Sequence, residues 1–431
     1  MGLKDFIVTP IYIFLFSGVA YFLRPYVTNS RTQKYFIPAL LVRFIGAIAL
    51  GLVYQFYYSG GDTFNFWEHG SNWIWQAFLD DPVLGVKMLL QPANSWDTST
   101  YEYVNNIWYY KSTSSYTIVK ITAFFDLFTF HTYSASALFF ATFSFSGLWA
   151  LYSVVSRLYP GKSNLLAYGI LFFPSVVFWG SGILKDTITI GCLGWLTWAI
   201  IQLVLLKNNK LLVVLVAIVS TYLIGRIKVY ILICFFPMLV VWSFLKTTKV
   251  IKNLALKILV IPILVVIFSF SGFLIMTSIT ENNDKYKLEN IAESARITAY
   301  DIRYGWGARL GGDGGYDIGE LDGTWQSMFR LLPASINVSL FRPYLWEVKN
   351  PFMLLSAIEG IIILMLFLRF LYKRKSIEIL KDPFLAFCLG FSLLLAYAFG
   401  ISTFNFGTLM RYKIPMIPFL IISLIAKAKP N

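Results

Sequence analysis

Apolar runs of about twenty residues, the length a helix needs to cross the hydrocarbon of a bilayer, recur along the whole chain. In lipid every backbone N–H and C=O must be satisfied within the protein, which leaves only helices or a closed barrel. Alternation at period two is not sustained here, so the barrel is set aside and an all-α polytopic membrane protein is expected. Hydropathy and length place spans at 6–23, 35–57, 133–155, 165–180, 188–206, 211–224, 229–245, 258–279, 351–370, 384–402 and 414–426, roughly eleven transmembrane helices.

The charges order these spans. The net charge of +14 would point to nucleic acid in a soluble protein. Here the lysines and arginines at 24–34, 157–162, 207–210, 246–257, 373–381 and 427–429 fall in alternate loops, a face that the positive-inside bias makes cytoplasmic. Of the 22 acids, seven lie in 59–132 and ten in 280–350. The basic balance is therefore a topology signal, and no nucleic-acid partner is expected. Both large loops, and the N-terminus, are placed outside the cytoplasm, facing the periplasm or exterior of a bacterial inner membrane. Cys192, Cys234 and Cys388 lie inside apolar runs and read as buried small hydrophobes.

Residues 1–431 read as one integral-membrane domain without an internal repeat, which weighs against an inverted-repeat transporter. The first large loop, 59–132, places Phe64, Trp67, Ile74 and Phe78 at near-helical spacing; an interfacial helix anchored by Trp67, Trp73 and Trp75 is expected. A second amphipathic piece, 116–130, carries Lys120 and Asp126. The second large loop, 280–350, contains a glycine-rich run at 305–323 that reads as a mobile lid or as a loop with no role.

Asp62 is the leading candidate for chemistry. It follows Gly60-Gly61 at the end of an apolar run, where a carboxylate caps a helix, acts as a general base toward an acceptor hydroxyl, or does both. Glu68 and His69 are placed to assist. On the same expected outer face, basic residues at three places run against the positive-inside bias: Lys185 with its acidic neighbour Asp186, Arg226 with Lys228, and Arg411 with Lys413. Together they suggest a convergent anion site, because arginine suits bidentate contact with phosphate. Arg43 and Glu359 lie well inside their spans, where charges face a partner or a polar cavity; Glu359 is a candidate substrate contact. Asp313, Asp317, Glu320 and Asp322 lack the spacing of an EF-hand, so no metal is assigned and a divalent cation remains the lesser alternative. No P-loop, dinucleotide fingerprint or zinc motif is present.

The order of these parts resembles the GT-C class of membrane glycosyltransferases, which use polyprenyl-phosphate-linked sugars. The resemblance rests on Gly61-Asp62-Thr63 opening the first large loop, the turn from Phe173-Pro-Ser through Trp-Gly-Ser-Gly-Ile-Leu to Lys185-Asp186, and Asn405-Phe-Gly-Thr-Leu-Met-Arg411-Tyr-Lys. It covers the chain best to about residue 245 and departs from the pattern in an extra helix before the first large loop. It implies that Asp62 is the first-loop catalytic carboxylate, that Asp186 is the acidic position of the second outer loop, and that the lipid-phosphate ligands fall among Lys185, Arg226, Lys228 and Arg411. The expected partners are a polyprenyl-linked glycan donor, a glycan, lipid or protein acceptor, and membrane lipids. Two alternatives remain. One is an O-antigen-type polysaccharide polymerase using Arg296, Arg303, Arg309, Arg330 and Arg342; the other is a transporter or flippase of lipid-linked glycans.

The charge asymmetry makes a direct prediction. Cysteines introduced at Ser99 and at Lys246 are labelled from opposite sides of intact cells, the first by an impermeant maleimide and the second only after permeabilisation. Equal accessibility defeats the assigned topology.

Overall fold

The computed structural model describes residues 2–207, 210–247, 291–306, 314–373, 379 and 382–426; the expected span 258–279 lies outside them. Among the described residues, seven helices are long and apolar enough to cross a membrane, or eight if one bent pair is a single span. The chain is therefore an all-helical polytopic membrane protein. It divides into two compact units, Met1–Val229 and Tyr230–Asn431.

The first unit opens with α1 (Leu3–Val27) and α2 (Gln33–Leu52), the latter running on through a π-helical turn, Val53–Tyr57. The loop that follows is itself helical: α3 (Asp62–Phe66), α4 (Asn72–Asp80), α5 (Pro82–Leu90), α6 (Tyr101–Val104) and α7 (Thr113–Thr129). Next come α8 (Tyr133–Leu158), the short α9 (Ser163–Leu171) and α10 (Pro174–Trp179), and α11 (Lys185–Val204). α12 (Leu211–Thr247) begins in this unit and breaks at Lys228, whose φ of −145° and ψ of 73° are not helical.

Four expected spans take a more particular form. The segment 165–180 is the pair α9 and α10, interrupted because a residue before proline is pushed out of the helical region; Phe173 is extended and Pro174 starts α10. The spans 211–224 and 229–245 are the two arms of α12, and the charged turn expected between them is the kink at Lys228 where the arms meet. The segment 414–426 is the second arm of a helix pair bent by 66°.

The centre of the first unit is a glycine seam between α8 and α11. A Cβ on Gly147 would lie 1.9 Å from the carbonyl oxygen of Gly191, and one on Gly194 would lie 2.2 Å from that of Gly147. Lipid is as apolar as the side chains it would replace, so membrane helices gain mainly from close dispersion contact, and small residues allow it.

The loop between α2 and α8 is fastened to the start of α8. Buried Asp126 accepts hydrogen bonds from the hydroxyls of Ser71 (2.7 Å) and Ser136 (2.6 Å) and pairs with His131 Nδ1 at 2.9 Å. The His131 ring stacks on Trp67 at 4.4 Å, and Phe64 stacks on Tyr133 at 4.5 Å. Some of the apolar residues of the expected amphipathic helix over 62–78 thus pack within the loop. Phe64 and Ile74 are buried and Trp73 and Trp75 half-buried, and the expected helix runs from Asp62 to Asp80 with a π-helical turn at Trp67–Ser71.

The second unit contains the remainder of α12, then α13 (Ile291–Tyr300), α14 (Trp325–Arg330), α15 (Leu332–Phe341), α16 (Pro351–Tyr372), α17 (Pro383–Thr403), α18 (Phe406–Tyr412) and α19 (Ile417–Ile425). Its core is aromatic: Phe391 meets Phe235 at 5.4 Å and Phe419 at 4.9 Å. The described end of the glycine-rich run is fixed. Tyr316 N–H donates to Phe404 O, Phe406 N–H donates to Gly314 O, and the Tyr316 hydroxyl bonds Thr403 and Gly400. Residues 307–313 of the expected lid lie outside the described residues.

The seam predicts a steep size dependence. Gly147→Val destabilises the detergent-solubilised protein by about 1–3 kcal/mol or more, the usual cost of overpacking. Gly161→Ala, at a position with nothing within 4 Å of the added carbon, leaves the melting temperature unchanged.

Candidate functional site

The site is built from the end of α2 upward. Ser59, Gly60 and Gly61 all have positive φ (54°, 123° and 123°), which turns the chain sharply out of the helix. A Cβ on Gly61 would also lie 2.8 Å from the Tyr54 ring, so shape and backbone both require glycine there. This turn sets Asp62 in the first turn of α3, with Gly61 at the cap position, so Asp62 is not the cap residue. Its half-exposed carboxylate accepts a hydrogen bond from the Tyr109 hydroxyl at 3.3 Å. Asn65 donates to the same phenol oxygen at 3.2 Å. Asp62 is thus held from the side by a phenol donor while its side chain stays half-exposed. Glu68 is exposed, and the His69 ring lies flat on Trp108 at 3.9 Å.

The expected cations of the first unit gather around α7, α11 and the break of α12. The Lys185 ammonium donates to the Ser114 hydroxyl at 2.9 Å. Lys228 is buried and forms an ion pair with fully buried Asp186. Taking two charges out of water costs several kcal/mol each, returned only through their mutual attraction and hydrogen bonds. Asp186 therefore acts as the counter-ion that holds Lys228 at a place where the helix has lost its regular bonding. Arg226, two residues earlier, is half-buried and its charge reaches Lys120 on α7.

Lys120 is the residue that the sequence did not single out. Its ammonium donates to Gln91 O at 3.2 Å and sits 5.3 Å from the Tyr116 ring centre. Burial, and secondarily the Arg226 charge, pushes this ammonium below the usual lysine value. Two cations brought together in half-buried surroundings oppose one another, and an anion between them removes that cost. The available signal was a single lysine in an otherwise apolar stretch, Ile118-Val-Lys120-Ile-Thr-Ala-Phe-Phe125.

Arg43 explains how Lys185 and Asp186 are delivered. It is buried inside α2, and its Nη1 donates to Val176 O (2.7 Å) and Gly180 O (3.0 Å) at the end of α10. A guanidinium there completes the negative end of a helix dipole. Gly180 leaves it room, since a Cβ would lie 2.9 Å from Nη1. The turn that follows leads directly into α11.

In the second unit Lys413 is fully buried at the break between α18 and α19. It donates to Ser356 Oγ at 2.9 Å, and the buried Glu359 carboxylate acts on it electrostatically. Glu359 is thus accounted for by a lysine of its own unit. Arg411 is half-buried on α18 of this unit. The second-loop arginines are engaged within the unit: Arg296 with Glu293, Arg342 with Glu347, Arg303 with Tyr316 O and Arg330 with Glu320 O. Arg309 and Asp313 lie outside the described residues. Asp317 accepts from Gly319 N–H, and the Asp322 carboxyl is held down to about 2 by the Ser327 and Thr324 hydroxyls.

No family model, curated protein or solved structure matches the chain.

The buried pair predicts a compensating cycle. Asp186→Asn or Lys228→Met alone leaves a buried charge without its partner and costs about 3–5 kcal/mol. The double variant recovers most of that loss, read as thermal melting in detergent. Additive losses would show that the two side chains do not act as a pair.

Proposed function

We propose that this chain is an integral-membrane glycosyltransferase. It moves a sugar or oligosaccharide from a polyprenyl phosphate or diphosphate carrier to an acceptor on the extracytoplasmic side. The observation that carries this reading is one folded unit pairing a half-exposed carboxylate, Asp62, with a group of cations: Lys120, Lys185 and Arg226. A base and an anion site on a membrane-embedded scaffold are the two parts such a transfer needs.

The chemistry follows from those parts. Asp62 takes the proton of the acceptor hydroxyl as its oxygen bonds to the anomeric carbon. The bond from that carbon to the carrier's phosphate oxygen breaks, and its electron pair leaves on the phosphate. Charge develops there, where Lys185, Arg226 and Lys120 stabilise it. Tyr109 and Asn65 aim the base. The Asp186–Lys228 pair holds the α12 end of the cation group in place.

The test separates base from scaffold. Asp62→Asn keeps the shape of the side chain and its contact with Tyr109 but removes its basicity. It lowers glycosyl transfer in membranes by about 10²–10⁴-fold at matched protein level, with an unchanged melting temperature. Near-normal transfer in Asp62→Asn excludes the base role.

A further inference from the structure

The loop that carries the candidate site also carries a surface that water does not suit. α7 has two faces. One holds Asp126 and its hydroxyl partners in the core. The other runs Thr117, Lys120, Phe124, Phe128, spaced by three, four and four residues and so aligned along one side of the helix. Phe124 and Phe128 are each about half exposed, at 48% and 50%, and Phe130 just beyond is 59% exposed.

The neighbours of this face fix what it meets. The Lys4 ammonium donates to Phe130 O and the Tyr12 hydroxyl to Phe128 O, so the end of α7 lies against the first turns of α1. Phe125 stacks on Phe139 of α8 at 4.8 Å, and Phe139 in turn packs on Tyr12 and Phe16. Tyr12 lies nine residues into α1 and Phe139 six into α8, about 13 Å and 9 Å along those helices. Both helices are long and apolar enough to cross a membrane. α1 leaves Phe6, Ile7, Ile11 and Phe14 uncovered, the surface of a helix that faces lipid. The aromatic end of α7 lies against these same two helices and adds exposed aromatic surface beside them.

We propose that α7 is an in-plane membrane helix: Phe124, Phe128 and Phe130 sit among the acyl chains of the adjoining leaflet, and Lys120 reaches the level of the lipid phosphates. A lysine side chain on such a helix reaches the phosphate level by snorkelling, its apolar stem lying along the acyl chains. When no polyprenyl carrier is bound, the anion that balances Lys120 and Arg226 is then the phosphate of a bilayer phospholipid. The lipid contact stands on α1, α7 and α8 alone and does not depend on glycosyl transfer.

Nitroxide labels on cysteines introduced singly at Phe124, Phe128, Phe14 and Asn106 of the full chain, in phosphatidylethanolamine–phosphatidylglycerol liposomes, test the placement. The native cysteines are buried and do not compete for the label. Positions 124 and 128 are expected to match Phe14, relaxed by oxygen and shielded from a nickel chelate, while exposed Asn106 shows the reverse. Nickel access at 124 and 128 equal to that at Asn106 overturns the proposal; shielding from both reagents also overturns it, since a protein partner then covers the face. For the anion, added phosphatidylglycerol is expected to raise the melting temperature of the detergent-solubilised parent but not of Lys120→Gln. An equal rise with inorganic phosphate, or in both proteins, overturns the phospholipid assignment. Neither readout uses transfer, so loss of this surface and loss of the enzymatic reading are separate results.

Discussion

A cation inside an apolar span is tolerated only where it finds acceptors, and in this protein each of the buried cations described stands where a helix gives out. Arg43 sits against the last carbonyls of α10, Lys228 occupies the break of α12, and Lys413 fills the bend between α18 and α19. A helix end in lipid exposes carbonyls that water cannot reach. A fixed charge with a nearby oxygen or carboxylate makes such an end stable. The breaks and the charges therefore depend on one another: removing the charge leaves the break unsatisfied, and straightening the helix leaves the charge without its acceptors.

That interdependence decides how the two carboxylates of the first unit differ. Asp62 follows a turn made possible by two glycines and is half-exposed. Asp186 is enclosed by its own helix and a lysine. The same functional group is half-exposed beside a tyrosine hydroxyl in one place and buried as a counter-ion in the other, and the difference lies in burial and partners rather than in the residue.

Much of this was legible in the sequence, and the reasons for the remainder are physical. Span length and composition report the hydrocarbon thickness, so α1, α2, α8, α11, α16 and α17 were readable as spans. Hydropathy does not report continuity: 165–180 is apolar throughout yet broken, because Pro174 acts through backbone geometry. Lys228 was read as exposed because its partner, Asp186, is 42 residues away in sequence. The stacking of Trp67 on His131 is not visible in the sequence because the two lie 64 positions apart. Lys120 passed unmarked since a single lysine on an amphipathic helix is ordinary until Arg226 is placed beside it. Charges were visible along the chain, whereas their pairing was not.

The seam between α8 and α11 carries a further consequence, for how such a chain diverges over evolutionary time. At Gly147, Gly191 and Gly194 selection acts on volume, since any side chain would overlap the opposing backbone or a packed aromatic ring. Around them leucine, isoleucine, valine and phenylalanine can exchange with little penalty so long as total volume is kept. Descendants of this protein should therefore lose recognisable identity quickly along their spans while retaining a sparse set of glycines at fixed separation. Three small residues would then outlast hundreds of larger ones as the mark of common ancestry.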